Sequence, residues 1–190
     1  MAPNLILETN LESENKSKYA LLIEYNGNSL VGWQKQIDGI SVQGSIENAA
    51  KKIFNDDFKI QGAGRTDAGV HALGQVAHIN LPLGHPLTLK HPFYIISAFN
   101  SLLRDTNIRI ISVKPVNSEF NARFSAIKRY YKYRILCRAA PPGLDKGKVW
   151  HCRRNLNIKA MEHAVKYIIG KHNFTSFRTS KCQAKSPIRT

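Results

Sequence analysis

One carboxylate in this chain is better placed for covalent chemistry than the others. The segment GAGRTDAGVH, residues 62–71, puts Asp67 between two glycines, with Arg65 two positions before it and His71 four positions after it. Glycine reaches backbone angles that other residues avoid, so such a turn can hold a carboxylate in a fixed, accessible position. A carboxylate held in this way is a candidate nucleophile.

Two common phosphate-binding loops do not fit this segment. In a dinucleotide-binding GxGxxG loop the third glycine would stand where this chain has Asp67, whose charge would repel a pyrophosphate. A Walker loop needs a Gly-Lys pair followed by Ser or Thr, which the segment lacks. The residues alone leave one structural alternative open: a tight turn in which Asp67 caps backbone N–H groups and pairs with Arg65.

The elements that must position the loop follow from hydrophobic periodicity. Alternating apolar residues predict strands over 18–25, 58–61, 75–81, 108–113 and 129–137. Apolar faces at helical spacing predict helices over 42–54, over 87–103 with a start at Pro92, and over 157–169 with Gly170 as the C′ residue. Several strands per helix favour an α+β fold with a mostly antiparallel sheet over a doubly wound sheet.

The charge of the chain is concentrated in one part. The net charge is +15, yet residues 1–119 hold 11 Lys or Arg and 11 Asp or Glu, whereas residues 120–190 hold 17 and 2. Such a basic half indicates a polyanionic partner, most often nucleic acid; a solvated basic face is the alternative. The polar composition of residues 1–16 predicts a disordered lead. The change in charge predicts an N-terminal subdomain over 17–117 and a basic C-terminal subdomain over 118–190.

Cysteine usage and the N-terminus bear on the cellular compartment. The three cysteines are odd in number and far apart, which argues against a disulfide framework or a zinc site, and the neighbouring His151 and Cys152 stand alone. Cysteines used in this way are typical of a reducing compartment. The chain has no secretory signal pattern and no apolar run of membrane-spanning length. These features predict a cytoplasmic protein with no membrane partner.

Read as a whole, GAGRTDAGVHA at 62–72 resembles the signature loop of the tRNA pseudouridine synthase A family. Other segments agree: GWQKQ at 32–36, VQG at 42–44, FNARFSA at 120–126, RYYKY at 129–133 and CQAKSP at 182–187. Asn121 stands where the family usually has His. The resemblance runs from about residue 18 to the end of the chain.

The resemblance implies an activity and a fold. Family members isomerise uridine to pseudouridine at tRNA positions 38–40, in the anticodon stem-loop, with no metal and no organic cofactor. Asp67 matches the catalytic Asp, and the residues do not decide whether it adds to uracil C6 or acts at the ribose. The implied structure has two subdomains with mostly antiparallel sheets flanking a basic cleft. The implied assembly is a homodimer that binds tRNA.

Further residues receive roles from the resemblance. Arg65 is expected to fill the gap left by a flipped uridine or to hold a phosphate, unless it pairs with Asp67. Tyr130 matches the tyrosine that stacks on the target base, with a core aromatic as the alternative. Phosphate binding is expected from six basic residues: Arg123, Lys128, Arg129, Lys132, Arg153 and Arg154. Support of the loop is expected from Gly64, Thr66 and Gly69, and from Gln34 and His71, which could equally touch RNA.

Family members usually continue well past the segment that matches 182–190. The additional part contributes strands, a helix and a basic side chain that pairs with the catalytic Asp. The C-terminal subdomain is therefore expected to be truncated. Two hypotheses follow: an active tRNA-uridine isomerase, or a catalytically impaired RNA-binding fragment of the same fold.

Overall fold

A computed structural model describes residues 16–178 and 186–189 of the chain. The chain divides into two compact units between Lys132 and Tyr133. The second unit thus begins later than residue 118, where the change of charge places the second subdomain. Lys16, the last residue of the predicted disordered lead, already belongs to the first strand, and residues 1–15 lie outside the described part.

The first unit contains a four-stranded sheet and two helices. In chain order its elements are β1 (Lys16–Tyr25), α1 (Val42–Phe54), β2 (Gln61–Gly62), β3 (Ala72–Pro82), α2 (Phe93–Leu102) and β4 (Ile108–Pro115). The strand order is β2-β3-β1-β4, and every neighbouring pair is antiparallel. The antiparallel sheet expected from the sequence is therefore confirmed for this unit.

One face of the sheet packs with both helices in a single core. Every second residue of β1 is buried there, from Tyr19 to Tyr25, and Ile46 of α1 and Phe99 of α2 are fully buried beside them. Full burial of an apolar side chain of this size contributes about 1.5–3 kcal/mol, so the core anchors β1 firmly. The hydroxyl of Ser41 accepts a hydrogen bond from Gly44 N at 3.1 Å and caps the start of α1.

Two helices of the first unit match their predictions closely, whereas one strand does not. The helix over 42–54 has the predicted bounds, and α2 begins directly after Pro92, as the fixed backbone angle of proline favours. The strand predicted over 58–61 is shorter and later, since β2 comprises only Gln61 and Gly62. Phe58 and Ile60 are buried all the same.

The strand predicted over 129–137 is wrong over most of its length. Only β5 (Ile135–Cys137) is extended and paired, whereas residues 129–134 join none of the described strands. The aromatic residues of this stretch are largely exposed, from Tyr131 at 66% to Tyr133 at 91%. Alternation of aromatic and basic residues marks a strand only where a neighbouring strand and a covered face are available.

The second unit is smaller and has little burial. It contains β5, β6 (Trp150–Cys152), α3 (Ile158–Val165), β7 (His172–Asn173) and β8 (Ile188–Arg189). Strands β5 and β6 pair in parallel, and β7 and β8 pair antiparallel. Between Tyr133 and the end of the described residues, no side chain is buried. The predicted apolar face of α3 is therefore exposed.

The helix α3 begins as predicted and ends early. Asn157 caps its start, with the side-chain oxygen accepting from Ala160 N at 3.0 Å. The helix ends at Val165, so the expectation that it runs to Ile169 with Gly170 as the C′ residue is wrong. Gly170 does adopt a φ of 104°, within a separate turn after the helix. The predicted loop over 139–147 contains no regular element.

Candidate functional site

The glycine-rich loop over residues 62–71 joins β2 to β3, and the start of β3 holds its beginning. The backbone N–H of Ala63 donates to the carbonyl of Val76 at 2.8 Å. The side-chain amide of Gln75 donates to the carbonyl of Gly64 at 2.7 Å. Because two bonds to one strand restrain neighbouring residues, the loop leaves the sheet in a fixed direction.

The middle of the loop rests on the segment that follows β1. Trp33 N donates to the carbonyl of Thr66 at 2.9 Å, and Gly69 N donates to the carbonyl of Leu30 at 3.4 Å. Gly32 has a φ of 110°, and a Cβ there would lie 3.1 Å from the carbonyl carbon of Asp67. Both the backbone angle and the lack of space at position 32 therefore require glycine, and this close contact lies next to the candidate nucleophile.

Two side-chain hydrogen bonds fix the loop, one between Tyr25 and Thr66 and one at His71, the last residue of the loop. The hydroxyls of Tyr25 and Thr66 lie 2.8 Å apart in a hydrogen bond. Burial raises the pKa of Tyr25, and the hydrogen bonds of its hydroxyl to Thr66 and Gln75 only partly offset this increase. Gly27 N donates to Nδ1 of His71 at 3.1 Å, so this nitrogen carries no proton. The arrangement places Thr66 and His71 in the support of the loop.

Asp67 is exposed at the outer side of this braced loop. The backbone carbonyl of Asp67 accepts a hydrogen bond from Val70 N at 3.2 Å. Gly69, two residues after Asp67, has a φ of 79° and open space around it. Within the described part of the chain, no salt bridge includes Asp67 or Arg65, so the pairing considered as an alternative is not formed there. The Asp67 carboxylate is therefore accessible to a bound molecule.

A cavity of about 480 Å³ borders the first residues of the same loop and lies entirely within the first unit. Its wall is formed by Trp33, Gln34, Gln43, Ile60, Gln61, Gly62, Ala63, Gly64, Arg65, Arg123, Arg129 and Tyr131. Three arginines and two aromatic residues thus line one space. A cavity of this composition suits a molecule that carries negative charge and a flat ring. Asp67 is not among its lining residues.

Arg129 ties the loop to the segment that precedes β5. Its Nε and Nη2 donate to the carbonyl of Ala63 at 2.9 and 2.6 Å, and Nη2 also donates to the carbonyl of Arg123 at 2.9 Å. The planar fork of arginine makes such paired bonds, which lysine cannot reproduce. Arg129 therefore shapes the cavity wall in addition to contributing charge.

Of the other residues predicted to bind phosphate, one lines the cavity and the rest are exposed elsewhere. Arg123 lines the cavity with Arg65 and Arg129. Lys128 and Lys132 are exposed in the same unit without lining the cavity. Exposed as well are Arg153 and Arg154 of the second unit.

The tyrosine at the cavity is Tyr131, whereas Tyr130 does not line it. Tyr130 is 87% exposed. The hydroxyl of Tyr131 lies 3.7 Å from where a Cβ on Gly64 would be. Sequence reasoning missed Tyr131, because the resemblance assigned the base contact to its neighbour Tyr130 in RYYKY.

Clusters of metal-binding side chains and long apolar helices are both absent from the described residues. Over 16–178 and 186–189, no group of three or more His, Cys, Asp or Glu is arranged to hold a metal ion. Within the same ranges, none of the helices has both the length and the apolar character that crossing a bilayer requires.

The fold and the loop define the first unit as an α+β domain with an accessible carboxylate beside a cationic cavity, and sequence comparison identifies the family. No protein-family model matches the chain. The chain is 43% identical over 173 residues to tRNA pseudouridine synthase A of Rhodospirillum rubrum. This aligned stretch covers 91% of the chain and 60% of the relative. Identity to the proteins of the same name from Parvibaculum lavamentivorans and Rhodopseudomonas palustris is 46% and 47%, covering 91% of the chain and 68% of each relative.

The chain belongs to the tRNA pseudouridine synthase A family. It spans 60–69% of the length of the curated relatives that it matches.

Proposed function

We propose that this chain is a tRNA-uridine isomerase that converts uridine to pseudouridine at tRNA positions 38–40, in the anticodon stem-loop. The observation that carries the proposal is the braced loop, which presents an exposed Asp67 and borders a cavity lined by three arginines. The names of the relatives supply the substrate class and the reaction.

Access to the target base requires that the RNA open. A stacked uridine must be flipped out, which costs a few kcal/mol. Arg65, on the loop and at the cavity, is suited to fill the gap or to hold a phosphate. We assign the aromatic contact with the base to Tyr131 in place of Tyr130, because Tyr131 lines the cavity.

The reaction moves C1′ of the ribose from N1 to C5 of the same uracil, with no net gain or loss of atoms. The C1′–N1 bond breaks, the uracil turns, and a C1′–C5 bond forms. C5 then loses its proton, and N1 gains one. The Asp67 carboxylate would act by one of two routes, by adding to uracil C6 or by assisting glycal formation at the sugar.

Release of the C5 hydrogen provides the test. Wild-type chain and the Asp67→Asn variant are incubated with tRNA that carries tritium at uridine C5, and water-soluble tritium is counted. The isosteric change keeps the size of the side chain and removes its charge. Release by the wild type, with a loss of at least about 1,000-fold in Asp67→Asn and unchanged tRNA affinity, is the expected result. Equal release by both proteins would exclude Asp67 as the nucleophile.

The second candidate function is RNA binding without catalysis. It is favoured by the exposed basic side chains of Lys128, Lys132, Arg153 and Arg154, because phosphate contacts bind RNA without any chemistry. This candidate predicts salt-dependent tRNA binding with no tritium release from either protein.

Assembly, location and the wider RNA surface complete the proposal. We propose a cytoplasmic homodimer in which the two subdomains flank a basic cleft, with Lys128, Lys132, Arg153 and Arg154 bound to phosphates. The reaction proceeds without metal or organic cofactor. Light scattering after gel filtration tests the dimer, and retention of tritium release in EDTA tests the absence of a metal requirement.

A further inference from the structure

The imidazole of His78 on β3 joins the sheet to the segment that leads to the cavity. Its neighbours Ala77 and Ile79 are buried in the core, so His78 lies on the opposite face of the sheet. Nδ1 of His78 accepts a hydrogen bond from Ala122 N at 3.1 Å. The ring also packs edge-on against Phe120, with 6.1 Å between centroids and an interplanar angle of 84°. Ala122 is 2% exposed, which leaves its N–H little access to water.

Further bonds fasten the segment over residues 118–125, which we call the docked segment. Lys18 Nζ donates to the carbonyl of Phe120 at 3.1 Å and to that of Ser118. The side chain of Asn121 donates to Oε1 of Gln61 at 3.3 Å and accepts from the backbone N–H of Arg123 at 3.0 Å. The backbone is thus fixed up to the residue that enters the cavity wall.

The docked segment connects His78 to the loop by consecutive contacts. Ala122, held by His78, is followed directly by Arg123, which lines the cavity. The carbonyl of Arg123 accepts from Nη2 of Arg129, and the same Nη2 donates to Ala63 at the start of the glycine-rich loop. A shift at Ala122 would therefore displace two of the three arginines at the cavity.

We propose that His78 is a positioning residue whose unprotonated Nδ1 holds Arg123 and Arg129 at the cavity wall, and that protonation of His78 releases the docked segment and weakens RNA binding at acidic pH. A protonated Nδ1 is a donor and can no longer accept from Ala122 N–H. The RNA readout of this inference rests on the proposed function, whereas the release of the docked segment does not.

The surroundings of His78 set the direction of the pH dependence. Burial, followed by the charge of Lys18, lowers the pKa of His78 below its ordinary value of 6.5. Strand β1 carries the charged residues Lys16, Lys18 and Glu24, of which Lys18 acts on His78. The docked segment carries Glu119 and Arg123, while Gln61 on β2 is neutral. The folded state therefore favours neutral His78. Its contribution is present above pH 6.5 and is lost as pH falls through the lowered pKa.

Two substitutions separate the hydrogen bond from the ring. His78→Asn retains an acceptor near the position of Nδ1 and does not titrate, and His78→Phe retains the packing on Phe120 without an acceptor. Hydrogen exchange of the Ala122 amide, corrected for its intrinsic rate, is measured from pH 7.5 to 5.5. The amide of Asn26, bonded to the carbonyl of Asn107 at 3.0 Å, monitors the rest of the fold. Affinity for an anticodon stem-loop RNA is measured over the same range.

In the wild type, Ala122 should lose its protection and RNA affinity should fall about tenfold toward pH 5.5, relative to His78→Asn. His78→Asn should show neither change, and His78→Phe should leave Ala122 unprotected at both pH values. The inference is overturned if the protection of Ala122 in the wild type does not depend on pH, or if His78→Asn retains that dependence.

Two further outcomes separate the steps of the inference. Loss of Ala122 protection with unchanged RNA affinity overturns the coupling to the cavity. An absence of RNA binding at every pH, with the exchange pattern as expected, supports the docking by His78 and counts against the proposed function instead.

Discussion

The guanidinium of Arg129 forms two hydrogen bonds to the backbone carbonyl of Ala63, at 2.9 and 2.6 Å, although 66 residues separate the two in sequence. The contact joins a stretch without regular structure to the first residues of the glycine-rich loop. Because the acceptor is a backbone carbonyl, the contact depends on the geometry of arginine and on nothing in the side chain of residue 63.

Arg129→Lys should therefore loosen the loop although the charge is kept. The fork to Ala63 and the bond to Arg123 are lost, and we expect about 1 kcal/mol less stability, since the arginine is exposed. Hydrogen exchange and limited proteolysis within 62–71 should increase. Arg138→Lys is the matched control, because the guanidinium of Arg138 donates to the nearby carbonyls of Ala140 and Pro141 and not to the loop. Equal loosening of the loop by both changes would contradict the role of Arg129.

Gly27→Ala should destabilise the first unit. A Cβ there would lie 2.8 Å from the carbonyl carbon of Gly69 and closer still to the carbonyl of Val70, so the loop or the segment after β1 must move. Overpacking of this kind costs about 1–3 kcal/mol, which urea denaturation would measure. Gly143→Ala is the control, since a Cβ there meets nothing within 4 Å. An unchanged unfolding midpoint in Gly27→Ala would show that the two segments are not in close contact.

Tyr25→Phe should isolate the contribution of one hydroxyl beneath the loop. The change removes the hydrogen bonds of the hydroxyl to Thr66 and Gln75 and leaves the ring next to Trp33, with 6.4 Å between centroids. We expect a loss of about 1 kcal/mol and faster exchange around Thr66. Tyr19→Phe, on the same strand and the same buried face, removes a hydroxyl that has no such bond to the loop. Larger destabilisation by Tyr19→Phe than by Tyr25→Phe would refute this account.

Hydrophobic periodicity identified the elements that depend on local pattern and a covered face. Helix α1 and strand β1 satisfy both conditions, and the sequence located them within two residues. The stretch over 129–134 has the pattern without the partner strand, so the same reasoning failed there.

The candidate site shows the same division between local and tertiary information. The turn that carries Asp67 could be recognised from its glycines and its carboxylate. Which of Tyr130 and Tyr131 lines the cavity could not be recognised in this way, because it depends on how Arg129 is anchored to Ala63. Support from Tyr25 and His78 was also missed, since each acts on a residue more than forty positions away.

That choice between the tyrosines leads to the sharpest functional prediction. Tyr131→Ala should weaken binding of an anticodon stem-loop RNA by about 1–3 kcal/mol, the usual contribution of one base stacked on an aromatic side chain. Tyr130→Ala, one position away and 87% exposed, should change the affinity by less than about 0.5 kcal/mol.

Tyr131→Phe separates stacking from hydrogen bonding at the same position, because it keeps the ring and removes the hydroxyl next to Gly64. Near-normal affinity in Tyr131→Phe, with a loss in Tyr131→Ala, assigns the effect to the ring. Fluorescence anisotropy at fixed salt measures all three variants, since phosphate contacts would otherwise change the baseline. A loss confined to Tyr130→Ala would restore the assignment made from the sequence and would mean that the RNA does not enter the cavity beside Arg65.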